Sequence, residues 1–386
     1  TILLAASAAQ ATVVPAPGYA VRTIATPGTV QGGVVRRGAA VLVGQGAFGV
    51  GAEQVIRLDA AGVTTVATGF NSLGGFDLDA AGTLYVVDNG GDLAGAATGD
   101  TLYALPGALT ATTAVAAAGH EVVPAGAIPF AMHPLVVAGG DVLVTDAAGF
   151  GGGRVVRVTP GAPATLATVV TGLDFLGGLA LDGTGTLLVG NVVFDPITFA
   201  STGAILRYSF AGAPLGTLAG GLSGALAHVV DSDGNVLVSG GFDPGSGTGT
   251  VIAIAPGGAV HERAHGFGFA GEMFFDAARD ETLVLDFGAS AITAVCRDQD
   301  GDGVCDADDE CVGAAIGKPK LVINKLATPP GDETLALAGT VSLPFPFAPA
   351  LDPVTTGLHV IVAGASGTVL DVAIPPGAYD AVTKTG

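Results

Sequence analysis

An all-β chain, most of it a six-bladed β-propeller, is predicted by three observations: a recurring unit of two strands around a Gly turn, period-two alternation within each unit, and a composition rich in Gly and poor in charge. Of 386 residues, 63 are Gly and only 12% are charged, while 49% are hydrophobic. Many short strands joined by tight turns suit that mixture.

The repeat is clearest in two copies. Gly74-Gly75-Phe76-Asp77-Leu78-Asp79 precedes Gly82-Thr83-Leu84-Tyr85-Val86-Val87-Asp88, and Gly177-Gly178-Leu179-Ala180-Leu181-Asp182 precedes Gly185-Thr186-Leu187-Leu188-Val189-Gly190-Asn191. Weaker copies begin near Gly33, Pro129, Ala227 and Gly271, which makes six units. Their starts fall roughly 42 to 54 residues apart, the spacing of propeller blades, and the alternation excludes helical repeats. Third strands such as Arg154-Val155-Val156-Arg157-Val158 and fourth strands such as Val63-Thr64-Thr65-Val66-Ala67 complete a four-stranded blade. The last unit has only three, ending at Ala291-Ile292-Thr293-Ala294-Val295, and Tyr19-Ala20-Val21-Arg22-Thr23-Ile24-Ala25 has no blade of its own. Adding it to the last blade would close the ring and remove an exposed edge. A β-sandwich or β-helix built from the same hairpins is the competing architecture.

These phrases resemble the six-bladed family that includes NHL-repeat proteins and gluconolactonase-like lactonases, over about Tyr19 to Val295. In the lactonases the resemblance implies a divalent metal on the propeller axis, held by Glu, Asn and Asp. Aligning the blades by the Asp that ends the first strand puts Gly33, Gly75, Pro129, Gly178, Ala227 and Glu272 in the axial column. One ligand, Glu272, is a poor site for a hard cation that wants six or more oxygens. A possible axial pocket therefore consists of Glu272 and His228, with His133 at the end of the corresponding strand of an earlier blade, and no catalytic residue is assigned. The acidic or amide residues that end second strands, Asp88, Asp146, Asn191 and Asp286, read as Asx turn formers that repeat because the blade repeats. No nucleophile elbow, His-Glu-x-x-His or phosphate loop occurs.

The most specific motif lies between Cys296 and Cys311, where seven of the 34 acidic residues fall. Counting Asp298 as position one, Asp298, Asp300, Asp302, Asp306 and Asp309 stand at 1, 3, 5, 9 and 12, with Gly303 at 6 and the Val304 carbonyl at 7. Alternate side chains of a tight loop converge on one point, and Gly at 6 permits the bend, so this order predicts calcium. The interleaved cysteines, with no amphipathic helix on either side, make the segment resemble one thrombospondin type 3 repeat, a family in which such loops wrap calcium. Three cysteines are odd, so one thiol is free, pairs between chains, or meets a partner outside this sequence.

Four segments follow: a signal-peptide remnant over 1–11 with small residues at Ala9-Gln10-Ala11, a propeller over 12–295, a calcium loop and linker over 296–317, and an incomplete β-sandwich-like module over 318–386. The last boundary is marked by usage, since all ten Arg precede residue 300 and all four Lys lie at or beyond Lys318. Export and crowded cysteines place the protein outside the cell or on its surface. A formal charge of −20 with no basic stripe excludes nucleic acid, and no apolar run is long enough to span a bilayer. The expected function is that of a secreted or cell-surface calcium-binding propeller that binds an extracellular protein or glycan without catalysis; the alternative is a metal-dependent lactonase-like hydrolase or lyase using Glu272.

Overall fold

The computed structural model describes residues 12–148, 151–194, 201–240, 248–299, 301, 303–309, 317–324, 334–340, 353–364 and 367–377. They form two compact units, one through Arg297 and one from Asp298 onward.

The first unit is a six-bladed β-propeller. Its inner strands are Val30–Arg37, Leu73–Leu78, Ala131–Val136, Phe175–Leu181, Ala227–Val230 and Ala270–Asp276, and each touches the next around the ring, the last returning to the first. The hydrophobic core is divided accordingly. Six buried clusters are found among the described residues, one at each seam between neighbouring blades. Period two explains how one strand serves two seams: Leu84 and Val86 pack towards blade 1, while Tyr85 and Val87 pack towards blade 3.

Closure follows the predicted route. Tyr19–Ala25 pairs antiparallel with Ala291–Arg297 of blade 6, from Tyr19 opposite Arg297 to Ala25 opposite Ile292. A carboxylate reinforces the seam. Glu281, buried in the second strand of blade 6, accepts from Arg22 of the closing strand at 2.6 Å and from Arg36 of blade 1.

Not every blade has the four strands expected. Blade 2 has three, Leu73–Leu78, Leu84–Asp88 and Thr101–Leu105, plus one isolated bridge from Tyr103 to Glu121. The stretch after Leu105 is interrupted by Pro106, Gly107, Gly119 and Pro124, which a ladder does not tolerate. Its short strand Val115–Ala116 runs parallel to the outer strand of blade 1 instead. Blade 5 gains a fifth strand, Val14–Pro15.

The described part of the second unit contains two hairpins, Gly317–Asn324 with Thr334–Thr340 and Leu358–Gly364 with Gly367–Ile374. Among the described residues no helix is long and apolar enough to cross a membrane.

Candidate functional site

Five of the six inner strands slip register near the axis. The slips fall between Gln31 and Val34, Leu73 and Phe76, Ala131 and Pro134, Leu176 and Leu179, and Ala270 and Met273. The extra residues are Gly32-Gly33, Gly74-Gly75, Met132-His133, Gly177-Gly178 and Gly271-Glu272, so the recurring Gly-Gly of the sequence is a β-bulge that bends each strand at the ring's centre. Backbone crowding requires Gly there. A Cβ on Gly177 would lie 1.7 Å from the Ala225 carbonyl oxygen, and one on Gly33 would lie 2.4 Å from the Phe76 amide nitrogen.

The bulges correct the axial column. Pro129 precedes its strand, and His133 takes the place aligned with Gly33, Gly75, Gly178 and Glu272. Blade 3 lacks the Asp that ends the first strand of blades 2, 4, 5 and 6, and matching His133 to that Asp shifts the column by four residues. His133 and Glu272 come from opposite blades and meet, with Nδ1 3.1 Å from Oε1. The His133 ring is nearly buried and its backbone N–H donates to Thr145 Oγ1. The carboxylate that was the one expected axial ligand therefore already has an imidazole beside it.

His228, also expected near the axis, is 3% exposed. Its Nε2 lies 3.1 Å from the Leu188 carbonyl oxygen, which can only accept, so Nε2 carries the proton and Nδ1 is the acceptor. Nδ1 has no hydrogen-bond partner among the described residues. Burial pushes the imidazole down to about 4 against the pull of the Leu188 bond, and neighbouring His133 adds to the lowering. The ring is thus neutral at pH 7.

Of the residues at second-strand ends, Asp88, Asp146 and Asp286 bond the turn that follows them, as read from sequence, and these three and Asn191 also reach back to the loop before their blade. Asp88 accepts from the Asn71, Ser72 and Gly90 amides, Asp146 from Phe130 and Ala148, Asn191 from Asp174, and Asp286 from Gly268, Phe269 and Ala289. Each pins the loop that enters its blade. Sequence reading missed Glu53, which lies buried at the start of a third strand and accepts from the Leu73 amide of the next blade at 2.5 Å. Burial raises its carboxyl to about 7, opposed by the Leu73 bond and assisted by the charge of Asp88. A cleft of about 510 Å³ opens beside the closing strand, lined by Thr12, Thr23, Thr26, Thr293, Arg22 and Asp286 among others.

In the aspartate loop, Asp298 is 3% exposed and folds the chain around itself. Its Oδ1 accepts from the Gly301 amide at 2.7 Å and its Oδ2 from the Gly303 amide at 2.9 Å. Both glycines are left-handed, with φ of 77° and 89°, which explains Gly at each position. Asp306 accepts from the backbone and side chain of Gln299, both at 2.9 Å. Val304 is exposed, Asp309 is described, and the predicted ligands Asp300 and Asp302 lie outside the described residues. Among the described residues no three His, Cys, Asp or Glu side chains gather into a metal site. Cys296 and Cys305 are disulfide-bonded.

The geometry defines a six-bladed β-propeller, and solved structures share it. No protein-family model and no curated protein matches the chain. A carbohydrate-active enzyme of family AA12 from Trichoderma reesei is similar in two structures. The one described as its iodide structure has a TM-score of 0.51 at 13% identity and covers 75% of this chain and 98% of that one. The calcium structure gives 0.50 at 13% identity, covering 75% and 97%. Regucalcin from Agrobacterium tumefaciens, described as a calcium-binding protein, gives 0.49 at 13% identity, covering 72% of this chain and 94% of that one. At such identities the likeness is one of fold.

Proposed function

We propose that the protein is an extracellular calcium-binding propeller that binds a protein or glycan ligand without catalysis. Calcium is held by Asp298, Asp300, Asp302, Asp306 and Asp309 with the Val304 carbonyl, in a loop over 296–317 that follows the propeller and precedes a sandwich-like module. The observation that carries this reading is Asp298, a buried carboxylate around which Gly301 and Gly303 already fold. A loop wound on its first ligand brings alternate side chains towards one point, as calcium loops require. The disulfide-bonded cysteines favour an oxidising compartment.

The competing reading, a metal-dependent lactonase-like hydrolase or lyase, needs Glu272 as an axial ligand. Its carboxylate is paired with His133, and Gly33, Gly75 and Gly178 contribute no side chain. Lactone turnover that disappears in Glu272→Gln and returns to the wild type with added divalent metal would favour the enzyme.

Isothermal calorimetry with oxidised protein tests the calcium reading. Extracellular calcium modules have dissociation constants of about 10⁻⁴ to 10⁻³ M, and the shorter Asp at position 12 places this loop there. Asp300→Ala should abolish the heat of binding and Asp308→Ala should retain it. No binding at millimolar calcium would reduce the loop to an acidic linker.

A further inference from the structure

The outer edges of the six blades are not equivalent. In blade 5 the last strand, Val260–Phe267, is covered by Val14–Pro15, and in blade 1 Gly62–Phe70 is covered in part by Val115–Ala116. Blade 2 is bridged from Tyr103 to Glu121, and blade 6 ends on the closing strand, which carries Arg22. Blades 3 and 4 end on Thr165–Leu173 and Pro214–Leu222, to which no further strand is paired among the described residues. Natural sheets protect such edges with charge, Pro or bulges. The blade 4 edge has Pro214, three glycines and three register slips against its neighbour. The blade 3 edge begins Thr165-Leu166-Ala167-Thr168, with neither charge nor Pro, exposed throughout and in unbroken register with 156–159.

We propose that this edge pairs antiparallel with the same edge of a second copy of the chain, across a two-fold axis at Leu166. The axis follows from the limits of the regular stretch. Pro163 ends it on one side, because Pro has no amide to donate. On the other side the register slips at Val169, whose carbonyl oxygen is taken up against Gly212 of blade 4, where a Cβ would lie only 1.9 Å from it. Between these limits lie residues 164–168, and an antiparallel two-fold that uses all of them is centred on Leu166. That register puts Leu166 against its copy, Thr165 against Ala167, and Ala164 against Thr168.

Leu166 is 41% exposed, an apolar side chain whose partner in this register is itself. The contact is isologous and closes on a dimer rather than a fibre. Charge does not oppose pairing at this edge. Two copies of a chain with a formal charge of −20 repel, and like charges directly opposite destabilise a ladder. Here no charge meets its own image. A ladder this short belongs with the small, weak interfaces below about 1,200 Å², so the dimer forms in the upper micromolar range.

Sedimentation of the intact chain across that range provides the test. The wild type should rise towards twice its monomer mass with concentration. Leu166→Lys, which sets two ammonium groups opposite each other at an exposed site, should remain monomeric with an unchanged circular dichroism spectrum. Leu215→Lys, at a 51% exposed position on the blade 4 edge, should dimerise like the wild type. Amide exchange at 164–168 should slow as wild-type concentration rises, a readout that stands even if Leu166→Lys fails to fold. A wild type that stays monomeric, a Leu166→Lys dimer, equal loss in Leu215→Lys, or exchange at 164–168 independent of concentration would each overturn the proposal. So would an extended foreign peptide that slows exchange there while the chain remains monomeric.

Discussion

Replacing Glu281 by Ala tests the closure seam, where one buried carboxylate joins the N-terminal strand, blade 6 and blade 1. Glu281 is 1% exposed and bonds both Arg22 and Arg36. Removing one partner of a buried ion pair costs about 3–5 kcal/mol when the other charge is left stranded. Two features reduce that figure here. Arg22 has a side chain 37% exposed and can turn to water, and Arg36 keeps Asp276 at 3.7 Å. A loss of about 2–3 kcal/mol is expected, the larger part from Arg36, whose side chain is only 10% exposed. In a unit this large each kcal/mol lowers Tm by about 2–4 °C, so the midpoint should fall by about 4–12 °C. Glu281→Gln, which keeps one acceptor, should lose roughly half as much. Urea titration of Glu281→Ala, Arg22→Ala and the double variant separates the terms, because the two losses should add to more than the double variant's loss. A Glu281→Ala protein within about 0.5 kcal/mol of wild type, the scatter of ordinary surface changes, would refute the view that this carboxylate secures the ring.

Stability should also rise as pH falls from above neutrality towards about 5.5, because the folded state binds protons that the unfolded chain does not. Burial raises Glu53 to about 7 and Asp77 and Asp100 to about 6, so the stability they contribute is complete below their unfolded values and is lost as pH rises through the folded ones. His228, held down at about 4, acts in the opposite sense below its unfolded value of 6.5 and offsets part of the gain. Thermal melts that are flat between pH 5.5 and 7.5 at about 0.1 M salt would contradict these shifts. Gly177→Ala should cost more than about 3 kcal/mol, since its Cβ would meet the Ala225 carbonyl oxygen at 1.7 Å and backbone would have to move, whereas Gly183→Ala, with open space around it, should be near neutral. Urea midpoints of the two variants decide this, and equal losses would count against close approach at the axis.

The closing strand and the seams were legible because period two and unpaired segments are local signals that a repeat multiplies. Tyr19–Ala25 could be assigned to blade 6 since the last unit was one strand short. The Asx residues were legible for the same reason. The axial histidine was not, because blade 3 has no Asp at the end of its first strand to anchor the alignment, so the count fell four residues early, on Pro129 instead of His133. The ion-pair seam was equally hidden. Arg22 and Arg36 meet Glu281 across separations of 259 and 245 residues, and nothing local in three ordinary surface-type residues announces that a ring will bring them together. Glu53 reads as a strand-end carboxylate in sequence and becomes a buried cross-blade acceptor only when blade 2 packs against it. For the aspartate loop the spacing carries the proposed ligand order, while the bonds that the Gly301 and Gly303 amides donate to Asp298 explain why both glycines are present.

A crystal structure grown in millimolar calcium, with anomalous scattering recorded, tests the central claim most directly because it examines the loop and the propeller axis together. One calcium ion should be bounded by Asp298, Asp300, Asp302, Asp306, Asp309 and the Val304 carbonyl, at about 2.3–2.6 Å from its oxygens, with Glu272 still beside His133. An empty loop beside an ion bound to Glu272 on the axis would contradict it and return the protein to the enzyme reading.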